Sequence, residues 1–139
     1  MRPENSGFAK LVGIMKRLLA PGGCPWDRRQ THDTLLRYLR EETREVSAAV
    51  KKKNWRNLEE ELGDILLQVV FHAELARRQG RFGINDVLRC INSKLIRRHP
   101  HVFGKKKLSS AGEVAAQWNR IKAREKAGYK TEKSEIRSQ

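Results

Sequence analysis

The stretch Leu62-Gly63-Asp64-Ile65-Leu66-Leu67-Gln68-Val69-Val70-Phe71-His72 decides the fold class. It lies within a helix that the pattern predicts from 55 to about 79, capped by Asn54 and closed by Gly80. At 100° per residue, Leu58, Leu62, Ile65, Val69 and Ala76 form one stripe, and Leu67, Val70 and Phe71 make the opposite face apolar as well. A helix apolar nearly all round is surrounded by protein. Glu61 flanks the stripe, with Asp64 and Gln68 on the same side.

Helical periodicity continues on both sides of this segment, and no strand alternation survives inspection. Upstream, one helix is expected over 7–19 after Ser6, stopped by Pro21-Gly22-Gly23-Cys24-Pro25, and another over 34–51 with Thr31 or Asp33 as cap. Downstream, a helix is expected over 85–98 with Ile84, Val87, Leu88, Ile91 and Leu95 inward. A further one opens at the capping-box pattern Ser110-x-x-Glu113 and runs to about 126. The expected fold is all-α, an antiparallel bundle of about five helices forming a single domain over 1–126, followed by a polar, frayed tail over 127–139.

On the helix over 34–51, Leu35, Leu39, Val46, Ala49 and Val50 form a stripe with Glu42 in its middle and Glu45 one turn on. Glu42/Glu45 and Glu61/Asp64 are both i, i+3 pairs, which place their side chains on one face, roughly 5–6 Å apart at Cβ. Carboxylates pressed into packed surroundings need a proton, a base or a metal to neutralise them. Arg40, Arg44 and Arg56 are near enough in sequence to do so. Two such faces turned together would give an all-oxygen donor set, which suits Mg²⁺ better than zinc.

Composition bounds the rest. The chain has 139 residues, 38% hydrophobic and 33% charged, with a formal net charge of +14. No apolar run approaches the roughly 20 residues of a membrane span, and Met1 to Ser6 lacks the layout of a secretory signal, so a cytoplasmic protein is expected. Cys24 and Cys90 are expected to be packed or free thiols in a reducing compartment. Residues 41–64 carry seven acids against five bases, whereas 1–40 carry three against eight and 105–139 four against ten. An acidic island in a basic chain calls for a local explanation, and the excess of cations favours polyanionic ligands.

Read together, these motifs resemble the MazG family of nucleoside triphosphate pyrophosphohydrolases. Glu41-Glu42-Thr43-Arg44-Glu45 followed by Glu61-Leu62-Gly63-Asp64 is similar to the family's EExxE…ExxD signature. Cys24-Pro25-Trp26-Asp27 with Gln30-Thr31-His32, the central helix above, Lys94 through Gly104, and Trp118-x-x-Ile121-Lys122 match its other segments in order. The resemblance implies an all-α, usually dimeric enzyme that cleaves nucleoside triphosphates to monophosphate and pyrophosphate with Mg²⁺, or Mn²⁺ as substitute. By position it implies Glu42, Glu45, Glu61 and Asp64 as metal-binding and catalytic residues, with Glu41 in support. It implies Lys94, Arg98, Trp118 and Lys122 as nucleotide contacts. Members of the family can carry two such domains in tandem, whereas these residues hold one.

Lys94 and Arg98 share a helical face that could clasp pyrophosphate, although on the wheel Arg97 competes with Arg98 for that place. Trp118 and Lys122 are one turn apart, a flat surface beside a cation. Trp26 and Trp55 are expected in the core or at helix junctions, His72 in a core hydrogen bond, and His99 and His101 shaping the turn around Pro100. Two other readings compete: a basic helical module that binds nucleic acid, and an all-α pyrophosphatase restricted to dUTP.

Overall fold

The structure, a computed structural model, describes the backbone over residues 6–137 and side chains over 7–128, so the segment read against a secretory signal lies mostly outside the described residues. Seven helices occur among them and no strand: α1 (Ser6–Leu19), α2 (Pro25–Arg28), α3 (His32–Lys51), α4 (Trp55–Arg78), α5 (Ile84–Arg98), α6 (Pro100–Phe103) and α7 (Ala111–Arg137). The all-α reading holds. The two helices beyond the expected five, α2 and α6, are single turns with Pro25 and Pro100 in their first turn. Proline lacks only an N–H that has no partner there, so each suits a helix start, and Pro100 also limits α5, which ends at Arg98.

Local chemistry explains the long elements. Thr31 Oγ1 accepts from Thr34 N–H at 3.2 Å while Thr34 Oγ1 accepts from Thr31 N–H at 2.8 Å, a reciprocal cap that opens α3. The chain leaves α3 through Lys53 in the left-handed region (φ 54°), and Asn54 Oδ1 then accepts from Asn57 N–H at 3.1 Å to open α4. Gly80, at φ 71°, closes α4, and Arg81 N–H donates back to the Ala76 carbonyl at 3.0 Å. With three residues between them, α3 and α4 pack as an antiparallel hairpin, and α1 lies against α4.

The chain divides within α5 into two compact units, one ending at Val87 and the other beginning at Leu88. In the first, Met15, Leu19, Leu35, Val70 and Phe71 form the buried core, with Phe8, Leu11, Val12, Tyr38, Leu67, Leu75 and Ile84 packed around it. In the second, Ser110 Oγ accepts from Glu113 N–H at 3.2 Å, and Glu113 accepts in return from Ser109 N–H at 3.1 Å, opening α7. The fraying expected from 127 concerns residues whose side chains, from 129 on, lie outside those described; the backbone is helical to Arg137.

Burial corrects several sequence expectations. The face of α4 that packs on the core is that of Val70 and Phe71, while Leu62 and Val69 of the presumed inner stripe are 52% and 40% exposed. Val50 on α3 and Leu88, Ile91 and Leu95 on α5 are exposed too. Periodicity identifies a face that is apolar, but not which of two apolar faces meets the chain's own core. Trp26 and Trp55 are also exposed rather than core: Trp55 begins α4 at the hairpin turn, and Trp26 sets its ring edge-on to Tyr38 at 5.8 Å.

Leu35, 1% exposed, anchors α3 on this core. Leu35→Ala is expected to destabilise the protein by about 2–5 kcal/mol, through lost burial and the cavity left behind. Chemical denaturation checks it; a loss below about 0.5 kcal/mol, the size of an ordinary surface change, would mean α3 is not anchored there.

Candidate metal centre

The hairpin register determines what meets across it. Glu45 and Glu42 stand six and nine residues before the last residue of α3, and Glu61 and Asp64 stand six and nine residues after the first of α4. Antiparallel packing therefore brings the two i, i+3 pairs to the same level. The four side chains can each present one oxygen so that all four oxygens lie within 4.8 Å of one another. Glu61 is buried, Glu42 half-buried, and Glu45 and Asp64 exposed, so the cluster is closed at its base and open at its mouth.

No basic side chain answers this charge. Among the described residues, none of the four acids has a salt bridge, and Arg40, Arg44 and Arg56 do not supply one. Oε2 of Glu42 and Oε2 of Glu61 are buried without a hydrogen-bond partner. Glu74, three residues after Phe71 on the same helix, shows the alternative. It is 4% exposed, and its carboxylate accepts from Arg77 at 2.6 Å and lies 3.6 Å from Arg78. Arginine neutralises that buried acid; the hairpin cluster is left to a proton or a cation.

Without a cation the cluster holds protons. Hydrogen bonding with the Glu45 carboxyl, then burial, then the nearby Glu42 push the Glu61 carboxyl up to about 8. Burial foremost, with the negative charges of Asp64 and Glu45, also raises Glu42. Four converging oxygens, on side chains two of which also bury an unpartnered oxygen, fit a hard divalent cation that retains open positions for water and phosphate. Nothing in the set favours zinc, which prefers nitrogen and sulfur.

The remaining site candidates fall as follows. Glu41 is half-buried and pairs with Arg37 at 3.4 Å. His72, as expected, is engaged in a hydrogen bond: its Nδ1 lies 2.8 Å from Nδ1 of His32. In the second unit Lys94, Arg98 and Trp118 are half-buried and Lys122 is exposed. The structure brings Arg98 and Trp118 together, the guanidinium carbon 5.1 Å from the ring centroid, while His99 meets the same ring edge-on at 5.1 Å. His101 accepts from Gln117 at 3.1 Å.

Sequence reasoning missed Glu125. Its carboxylate accepts from Arg97 Nε at 2.5 Å and from Arg98 Nη2 at 2.8 Å, and those two arginines hold it down to about 2. The competition between Arg97 and Arg98 is thus not resolved by this contact, since both meet one carboxylate. The pairing spans 27 and 28 residues, a separation with no local signature. Trp118 also lines an open cavity of about 520 Å³ with Val114 and Asn119.

Comparison with known proteins adds a relationship to this geometry. The sequence pattern of the MazG nucleotide pyrophosphohydrolase domain matches residues 30–103. The chain is 54% identical over 124 residues to the nucleoside triphosphate pyrophosphohydrolase/pyrophosphatase MazG of Thermotoga maritima, covering 89% of this chain and 47% of that protein. It is 47% identical over 119 residues to the nucleoside triphosphate pyrophosphohydrolase of Escherichia coli, covering 85% and 45%. The chain therefore spans about half the length of these curated relatives. The crystal structure of a mazG-related protein from Thermotoga maritima matches with a TM-score of 0.70 at 33% identity, over 83% of this chain and 98% of that one. With more than half its length matched by the family pattern, and with that fold, the chain belongs to the MazG nucleotide pyrophosphohydrolase domain family.

Proposed function

We propose that this domain hydrolyses nucleoside triphosphates to the monophosphate and pyrophosphate, with Mg²⁺ held by Glu42, Glu45, Glu61 and Asp64. The observation that carries the reading is the convergence of four carboxylate oxygens within 4.8 Å, with no salt bridge to any of the four among the described residues. The family pattern and the names of the relatives support the reaction class. In that reaction a water oxygen bonds to the α-phosphorus, the bond to the α–β bridging oxygen breaks, and pyrophosphate carries the electron pair away.

When bound, Mg²⁺ neutralises phosphate charge and acidifies water, with Mn²⁺ the expected substitute. On the protein side, Glu42 or Glu45 orients the attacking water and takes its proton, while Glu61 and Asp64 complete the cage from α4. Glu41 supports this edge. Lys94, Arg98 and Lys122 contribute cations to the triphosphate and Trp118 a surface for the base. The role envisaged is housekeeping of the nucleotide pool in the cytoplasm. The free thiols of Cys24 and Cys90 accord with a reducing compartment, and no helix among the described residues is long and apolar enough to cross a membrane.

The working state is a homodimer in this reading. Leu62, Leu66 and Val69 recur along α4 on a face the first unit does not cover, and Leu36 on α3 is similarly exposed. An apolar helical face of this kind is covered by another protein surface, and a second copy presents the same stripe to it.

Three outcomes test the proposal. Asp64→Ala is expected to remove at least about 1,000-fold of turnover, about 4 kcal/mol of transition-state stabilisation, while leaving a folded protein. Product analysis should find monophosphate and pyrophosphate; full activity in the variant, or diphosphate plus phosphate from the wild type, would refute the site or the point of attack. The second outcome concerns pH. The folded carboxyl of Glu61 is raised from its ordinary 4.5 to about 8, so the metal-free native state binds a proton that the unfolded chain releases. Its stabilising effect is full below the ordinary value and is lost as pH climbs through that window. Metal-free Glu61→Gln should therefore lose less melting temperature than the wild type between about pH 5 and pH 8.5; parallel curves would contradict the assignment. In the third, Leu62→Asp with Leu66→Asp should convert a dimer to monomer in sedimentation analysis, and an unchanged sedimentation coefficient would exclude that face as the interface.

A further inference from the structure

The second unit contains a built pocket that the proposed reaction does not use. It encloses about 350 Å³ between the end of α5 and the outer side of α7, near the lower end of the roughly 300–1,000 Å³ typical of small-molecule sites. Arg97, Lys106, Arg120 and Arg124 supply four cations to its lining, against one carboxylate, Glu125. That carboxylate is already consumed by Arg97 and Arg98. Lys106, Arg120 and Arg124 are exposed, and no ion pair engages them among the described residues. Pro100 and Ile121 contribute an apolar wall.

The lining is mostly apolar, so the pocket floor suits a flat, weakly polar group, and the cationic heads of Lys106, Arg120 and Arg124 are exposed beside it. Phosphates carry the charge that free guanidinium groups prefer to bind. An apolar wall for a base beside three unengaged cations for its phosphate matches a single nucleotide unit.

We propose that this pocket is a second, metal-independent site for a nucleotide unit, with its phosphate on Arg120, Arg124 and Lys106 and its base against Pro100 and Ile121. The site is independent of the carboxylate cluster, and it gives the charge of +14 a local use. The unit comes either as a free nucleotide or as one residue of a single-stranded nucleic acid, since both offer the same phosphate and base edge.

Fluorescence anisotropy in EDTA separates these sources, with labelled AMP in one arm and a short labelled oligouridylate in the other. At least one probe should bind the wild type. Arg120→Glu with Arg124→Glu should weaken that binding about tenfold or more and flatten its salt dependence. Asp64→Ala should bind as the wild type does, and nucleoside triphosphate turnover should be unchanged in the Arg120/Arg124 variant. Lys51→Glu with Lys52→Glu makes the same change in net charge at residues that do not line the pocket and should leave binding within about twofold. Failure of both probes to bind the wild type overturns the site, as does equal weakening by the two charge-reversed pairs. Loss of binding in Asp64→Ala would overturn it as well, by assigning the nucleotide to the carboxylate cluster.

Discussion

Mutual repulsion among four carboxylates, held together by a helical hairpin and relieved by no base among the described residues, is the constraint around which the first unit is arranged. One cap and one turn residue set it up: Asn54 starts α4 immediately after the left-handed Lys53, and this short link fixes the register of α3 against α4. Leu35, Val70 and Phe71, in the buried core, then hold α3 and α4 together. The packing that stabilises the hairpin is thus the same packing that forces the acids together. A cation relieves the resulting strain, so the binding energy of the core is coupled to the affinity of the site.

The molecule contains three solutions to the problem of a partly buried acid, and their comparison gives the cluster its meaning. Glu74 is neutralised by arginines one turn away on its own helix, a structural ion pair that closes the end of α4. Glu125 is neutralised by two arginines from another helix and is held ionised, down to about 2. Glu61 has neither, and rises to about 8. Groups displaced in opposite directions within one small chain report different surroundings, and a raised carboxyl beside unpartnered oxygens is the signature of a site prepared for something absent from the polypeptide.

Much of this was legible in the residues themselves. The caps at Thr31, Asn54 and Ser110 marked helix starts because their side chains bond N–H groups three residues ahead, a purely local event. The i, i+3 spacing of Glu42/Glu45 and Glu61/Asp64 was equally local, and the family resemblance aligned both pairs. What escaped was set by tertiary structure. Apolar residues on both sides of α4 do not say which side meets its own chain, so Leu62 and Val69 were placed inside and are exposed. Trp26 and Trp55 could be core or helix-junction residues by hydrophobicity alone, and they stand exposed at a helix start and a hairpin turn. The pairing of Glu125 with Arg97 and Arg98 depends on the approach of α7 to the end of α5, which no short window contains.

Calorimetric titration of the metal-free protein with Mg²⁺ near pH 7, in two buffers of different ionisation enthalpy, tests the central claim most directly. A carboxyl held up to about 8 carries a proton there, and a cation must displace it. Binding should release about one proton per chain at that pH and progressively fewer as pH rises through about 8. Binding without proton release, or no Mg²⁺ binding at all, would contradict the assignment of those four carboxylates as a cation site.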